Sequence, residues 1–148
     1  MDKGQQQTAT NPVLRSDFDT FEKMTTRWKD MDAVGHVNNA TYLTYLESAR
    51  IHYIQKRGFA HEKANEVPFI VASIKIDFLK QVVHPAVLFV GQKIVRVGNT
   101  SFDILSGIFK DEEDEPSATA VTTMVCFDYK TGKAIPVPRI IREELERE

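Results

Sequence analysis

A short polar segment, residues 30–39, carries the residue types with the clearest chemical potential. It reads Asp-Met-Asp-Ala-Val-Gly-His-Val-Asn-Asn and brings two carboxylates, an imidazole and two amides close together. An ionised carboxylate such as Asp32 could attack a carbonyl carbon, or it could deprotonate a water that attacks in its place. An aspartate in such a segment is most often only a turn or capping residue. The segment by itself leaves both interpretations open.

A long helix is predicted directly after this segment. Apolar residues recur at spacings of four, three and four, which is typical of one helical face: Tyr42, Leu46, Ala49 and Tyr53. Asn38 or Asn39 is predicted to cap its beginning, and Gly58 to end it. The apolar set is wide, so we expect burial over much of the helix surface. The free N–H groups of the first turn could stabilise negative charge on an oxygen.

Most of the remaining chain is predicted to be β-strand. A first strand is predicted within 18–29, before the polar segment, and four β-prone runs follow the helix at 69–79, 87–97, 100–110 and 117–129. Successive strands joined by short turns form an antiparallel sheet, and the helix must cover its apolar face. A short charged helix is predicted at 139–147. The fold class is therefore α+β.

The size and charge of the chain narrow its organisation and its partners. Its 148 residues fit one domain. We expect a disordered leader at 1–17, the folded domain at 18–135 and a helical tail at 136–148. A net charge of −2 with scattered basic residues argues against a nucleic-acid partner. No apolar run approaches the length of a membrane span, and the polar N-terminus does not resemble a signal peptide, so a cytoplasmic location is expected.

The cysteine and histidines do not suggest a metal site. Cys126 lies in an apolar run and is expected to be a small buried residue rather than a nucleophile. His52, His61 and His84 show no metal-ligand spacing with each other or with Cys126. We therefore expect neither a metal nor an organic cofactor.

The segment 26–43, with its Asp-x-Asp, Gly and His-Val-Asn-Asn, resembles the signature of the 4-hydroxybenzoyl-CoA thioesterase family. These enzymes have the hotdog fold, an antiparallel β-sheet wrapped around one long central helix. The later segment 97–102 also looks like the family's turn between two strands, and the resemblance covers roughly 21–129. It implies a homodimer or homotetramer with active sites at the subunit interface.

The resemblance also implies roles for single residues. Asp32 matches the catalytic carboxylate, as nucleophile or general base, whereas Asp30 matches the first acid, which is not the usual catalytic group. The backbone N–H of Asn39 matches the group that polarises the thioester carbonyl. His36 could orient Asp32, contact the substrate, or bond to the loop backbone.

Further residues are expected to bind the substrate: Gly35, Val37, Asn38, Tyr42 and Glu47. A glycine at position 35 would let the backbone approach the substrate closely. Glu47 matters because some hotdog thioesterases carry their carboxylate on the central helix, although an ion pair with Arg50 is the competing interpretation. Several large residues could line an acyl tunnel or simply fill the core: Tyr42, Tyr45, Leu46, Phe69 and Ile74.

The function that this resemblance implies is hydrolysis of an acyl-CoA. The His-Val-Asn-Asn version is more typical of the long-chain branch of the family and favours a medium- or long-chain fatty acyl group over an aromatic one. Two alternatives remain: a non-catalytic acyl-CoA-binding hotdog protein, and a hydratase or dehydratase acting on acyl thioesters.

Overall fold

The computed structural model describes residues 12–60 and 68–147. Two α-helices, α1 (Asn39–Lys56) and α2 (Arg139–Arg147), accompany five longer strands and one short strand. The strands are β1 (Phe21–Thr25), β2 (Phe69–Phe78), β3 (Val87–Val97), β4 (Ser101–Lys110), β5 (Ala118–Asp128) and β6 (Lys133–Ala134). Two 3-10 helices lie at Arg15–Asp17 and Trp28–Asp30. The predicted first strand at 18–29 is therefore much shorter, since its second half turns into a 3-10 helix.

The strands form one antiparallel sheet in the order β1-β3-β4-β5-β2, and β6 pairs with the outer part of β5. Short turns join β3 to β4 and β4 to β5, as the sequence predicts. In contrast, β2 does not lie beside β3: it pairs with β5 along its whole length, at the far edge of the sheet. The connection at 79–86 must therefore carry the chain from that edge to β3, so it passes close to the beginning of α1.

Helix α1 has the bounds that its sequence pattern predicts. Asn38 is the N-cap, and its side-chain oxygen accepts a 2.8 Å hydrogen bond from the amide of Ala40. Past the other end, Gly58 has a φ of +71°, which a residue with a side chain rarely adopts. These two signals decide where the helix begins and ends.

The buried face of α1 is narrower than the sequence suggests, because the sheet covers only one side of the helix. Leu43 and Ile51 are 43% and 41% exposed. The first half of the helix packs into a core cluster that includes Tyr42, Tyr45 and Leu46. The second half packs into another that includes Ile54.

The end of the predicted leader is part of the folded structure. Its first eleven residues lie outside the described ranges, but Arg15–Asp17 form a 3-10 helix, and the Arg15 guanidinium lies 4.6 Å from the centre of the Phe89 ring. Phe18 then packs against β3, where Gly91 leaves room for it. A Cβ at Gly91 would come within 2.6 Å of the Phe18 ring. Residues 15–18 are thus in contact with the sheet.

The predicted helical tail is also part of the core. Its helix has the predicted bounds, but Ile141 is fully buried in the second cluster. Glu144 is buried as well, and its carboxylate pairs with Arg57 at 3.2 Å, just after the end of α1. The helix of the predicted tail therefore packs against the same core as α1.

Neither helix in the described ranges is long and apolar enough to cross a membrane.

Candidate active site

The polar segment between β1 and α1 forms a small hairpin. The Asn38 amide donates to the carbonyl oxygen of Asp30 at 2.9 Å, which closes the neck of the loop. Next to this hydrogen bond, on the loop side, Met31 and Val37 form an isolated antiparallel bridge. Because Asn38 also caps α1, the hairpin ends at the point where the helix begins.

Asp32 lies inside this hairpin and is exposed. Its amide donates to the His36 carbonyl at 2.8 Å, and its carboxylate Oδ1 accepts from the amides of Val34 at 2.9 Å and His36 at 3.3 Å. Gly35 forms the turn with a φ of +91°. Asp32 is therefore the turn residue that its type predicts, but Oδ2 has no hydrogen-bond partner in the described ranges. One carboxylate oxygen is held in place while the other stays available.

A pocket of about 390 Å³ opens beside this hairpin. One wall comes from the hairpin and the first turn of α1: Asp32, Val34, His36, Val37, Asn39 and Tyr42. The opposite wall is the end of β2 with its following residues: Phe78, Leu79, Lys80, Gln81 and Val82. The structure thus brings the predicted residues Asp32, His36, Val37, Asn39 and Tyr42 around one cavity.

The second wall of the pocket has no signal in the sequence. Residues 78–82 lie about 40 positions after the hairpin and carry no motif of their own. They reach it through the amide of Val37, which donates to the Val82 carbonyl at 2.8 Å, and through the rings of Phe78 and Tyr42, whose centres are 5.2 Å apart. Such contacts depend on the path of the chain after β2, so no local pattern could have indicated them.

Three predicted substrate-binding residues do not line the pocket. Asn38 caps the helix, and Gly35 forms the hairpin turn. Glu47 is exposed on α1, more than one helical turn after Tyr42, the last helix residue that lines the pocket. It forms no ion pair with Arg50 within 4 Å in the described ranges. The helix carboxylate of some hotdog enzymes therefore has no counterpart at this cavity in the structure.

Most of the residues considered for an acyl tunnel are core residues. Of these five residues, Tyr42 alone lines the pocket. Burial raises the pKa of its hydroxyl. Tyr45 and Leu46 pack in the first core cluster with Ile74 against it, and Phe69 belongs to the second cluster.

His36 contributes to the site through its backbone. Its amide holds the Asp32 carboxylate and its carbonyl accepts from the Asp32 amide, while its ring lines the pocket. These bonds are made by the main chain of His36, so all three predicted roles of its ring stay predictions.

Asp30 is the buried acid of the segment, with only 2% of its surface exposed. Its Oδ2 accepts from the Tyr45 hydroxyl at 2.6 Å and from the Arg27 amide at 2.9 Å. Burial by itself would raise the pKa of Asp30, but the hydrogen bonds from Tyr45 and Arg27 outweigh it and lower that pKa below its usual value. Asp30 is a structural carboxylate, as predicted.

Cys126 is the small buried residue that the sequence predicts. It is fully buried in the second core cluster, and burial raises the pKa of its thiol to about 11, which keeps it protonated. In residues 12–60 and 68–147, no three His, Cys, Asp or Glu side chains are grouped so that they could hold a metal ion. His61 lies outside these ranges.

Known proteins resemble this chain over most of its length. The model of the Thioesterase-like superfamily matches residues 26–145. The long-chain acyl-CoA thioesterase FadM of Escherichia coli is 31% identical over 118 residues, which cover 79% of this chain and 89% of the relative.

Solved structures confirm the expected hotdog fold. A Pseudomonas aeruginosa protein superposes with a TM-score of 0.81 at 29% identity, covering 92% of this chain and 94% of its own. A Thermus thermophilus thioesterase, in complex with coenzyme A and zinc, gives a TM-score of 0.75 at 30% identity. The superposition covers 86% of this chain and 98% of the Thermus chain.

The lowered pKa of Asp30 predicts how stability depends on pH. A carboxyl group whose pKa is lower in the folded state stabilises the fold above its unfolded pKa, about 3.9. We expect Asp30→Asn to lower the free energy of unfolding by about 2 kcal/mol at neutral pH, because hydrogen bonds to a charged group are lost. This difference should shrink as the pH falls through the folded pKa of Asp30.

Urea unfolding of both proteins at several pH values measures this difference. A gap that stays constant from pH 7 down to about pH 2.5, well below the unfolded carboxyl pKa, would show that folding does not lower the pKa of Asp30.

Proposed function

We propose that this chain, which belongs to the Thioesterase-like superfamily and is therefore a thioester hydrolase, cleaves fatty acyl-CoA into a free acid and coenzyme A. The observation that carries the proposal is the pocket in which the Asp32 carboxylate and the first turn of α1 meet. A carboxylate and a backbone amide that can donate to an oxyanion are the two groups that hydrolysis of a thioester needs.

The first turn of α1 supports a site for the developing oxyanion. The side-chain oxygen of Asn38 accepts a hydrogen bond from the backbone amide of Ala40, and the backbone amide of Thr41 donates to the carbonyl of Asn38. The backbone amide of Asn39 makes no hydrogen bond in the described ranges. A free amide at the positive end of a helix stabilises negative charge on a carbonyl oxygen, and one such donor contributes about 3–4 kcal/mol to catalysis in known enzymes.

Asp32 would act on the carbonyl carbon in one of two ways. As a general base, it takes a proton from water while the water oxygen bonds to the carbon; the C–S bond then breaks and the thiolate of coenzyme A takes up a proton. As a nucleophile, its free oxygen displaces the thiolate and forms a mixed anhydride, which water then hydrolyses. Both routes use Oδ2, the oxygen without a partner in the described ranges.

Apolar side chains around the pocket support a fatty acyl group. Val34, Phe78 and Leu79 line it and are 77%, 46% and 57% exposed. Exposed apolar groups of this size, gathered at one cavity, mark a binding surface for an apolar ligand. The Escherichia coli relative, a long-chain acyl-CoA thioesterase, agrees with this substrate class.

Replacing Asp32 tests the catalytic assignment. We expect Asp32→Asn to lower kcat by at least about a hundredfold, because it removes the base or nucleophile. Its amide oxygen can still accept from the hairpin amides, so the loop should keep its shape. Release of free thiol from palmitoyl-CoA, measured with a chromogenic disulfide, reports the rate.

The control for this variant is Asp114→Asn, which changes an exposed aspartate outside the pocket and should leave kcat unchanged. Near-normal turnover in a folded Asp32→Asn protein would overturn the assignment. If the unaltered protein binds palmitoyl-CoA tightly but releases no thiol over hours, it is an acyl-CoA-binding protein instead.

Phe78 allows a test of the acyl group. We expect Phe78→Ala to raise KM for palmitoyl-CoA roughly tenfold, because a buried phenyl group contributes about 1.5 kcal/mol or more to apolar binding. KM for butyryl-CoA should change less than about twofold, since a short chain makes fewer apolar contacts. Val95→Ala, an exposed apolar position outside the pocket, is the matched control. Equal effects on both substrates would contradict a fatty acyl site at this wall.

Strand β2 supports the homodimer or homotetramer that the resemblance implies. It forms one edge of the sheet, and its Ile70 and Val71 are 37% and 42% exposed. An unpaired edge with apolar side chains favours pairing with a second copy. Sedimentation velocity should give at least twice the monomer mass, and Val71→Lys should reduce it. A Val71→Lys protein that remains fully oligomeric would place the interface elsewhere.

A further inference from the structure

We propose that Asp30 is a positioning residue for the Asp32 carboxylate, and that it acts through its buried hydrogen bond with Tyr45 of α1. This inference rests on the proposed function, in which Asp32 performs the chemistry. Asp30 itself does not line the pocket, so it would act only by holding other groups in place.

The side chain of Asp30 joins the beginning of the hairpin to the helix. Its Oδ2 accepts from the Tyr45 hydroxyl at 2.6 Å and from the Arg27 amide at 2.9 Å, and its Oδ1 lies 3.2 and 3.3 Å from the Arg27 guanidinium nitrogens. Tyr45 is buried in the second turn of α1. A short hydrogen bond to an ionised acceptor is among the stronger ones, so this contact resists displacement.

The backbone of Asp30 holds the other end of the hairpin. Its carbonyl accepts from the amide of Asn38, the residue that caps α1. One residue separates Asp30 from Asp32 along the chain, and Asn39 follows Asn38 directly. Asp30 is therefore fixed to the helix at two places, and these two attachments determine where the Asp32 carboxylate lies relative to the Asn39 amide.

The cost of burying Asp30 argues that this arrangement does more than fill space. A buried carboxylate must recover a large desolvation cost from its hydrogen bonds, and apolar residues of similar volume often stabilise a fold as well or better. Position matters far more for catalysis, because a displacement of about 1 Å in a catalytic group can cost about a hundredfold in rate. Asp32 is exposed and has only hairpin amides to hold it, so its position depends on the base of the hairpin.

The test uses Asp30→Asn and Tyr45→Phe, assayed well below the melting temperature of each variant with palmitoyl-CoA. We expect kcat to fall roughly tenfold or more in both, with KM changed less than about twofold, since the pocket walls remain. The double variant should be no slower than the slower single one, because both changes remove the same contact.

A second measurement separates positioning from general damage. In the Asp32→Asn background, adding Asp30→Asn should leave the residual rate unchanged, because no carboxylate remains to be positioned. If Asp30 supported only the fold or the Asn39 amide, the residual rate would fall by the same factor as in the unaltered protein, and the inference would be wrong.

Ser106→Ala is the matched control for stability. Ser106 is buried on β4 and accepts a 3.0 Å hydrogen bond from Gln92 on β3, away from the pocket and the hairpin. It should lose comparable stability without a loss of kcat. If Asp32→Asn is inactive while Asp30→Asn and Tyr45→Phe keep kcat within twofold, only this inference fails; if Asp32→Asn is active, the proposed function itself fails.

Discussion

The hydrogen bond between the amide of Asn38 and the carbonyl of Asp30 closes the loop between β1 and α1, and the pocket depends on it. Together with the Met31–Val37 bridge and the hydrogen bond from the Tyr45 hydroxyl to the Asp30 carboxylate, it holds the loop against the beginning of the helix. As a result, the carboxylate of Asp32 and the first turn of α1 lie on one cavity. A tight hairpin running directly into a helix therefore brings a carboxylate and the first turn of that helix together with very few residues.

The two acids of the segment show how environment separates their roles. Asp30 is buried, fully engaged with Tyr45 and Arg27, and has a lowered pKa. Asp32 is exposed, and only one of its oxygens has partners in the described ranges. The first acid can therefore hold structure, whereas the second keeps an oxygen available for a substrate.

Much of the architecture could be predicted because it depends on local signals. The bounds of α1 follow from the cap at Asn38 and the positive φ of Gly58, and β3 follows from an uninterrupted β-prone run. Contacts between distant segments carry no such local signal. Phe18 packs on Gly91 of β3, and Ile141 of α2 is buried in the second core cluster.

The sequence by itself determined the class of fold, the family and the loop that carries Asp32, because the patterns that indicate them lie in contiguous residues. Only the tertiary structure decided what faces that hairpin. Strand β2 pairs with β5 instead of β3, so the chain after it returns past the helix and residues 78–82 become the second wall of the pocket. The pairing of distant strands reflects the burial of the whole sheet, and no short stretch of sequence contains that information.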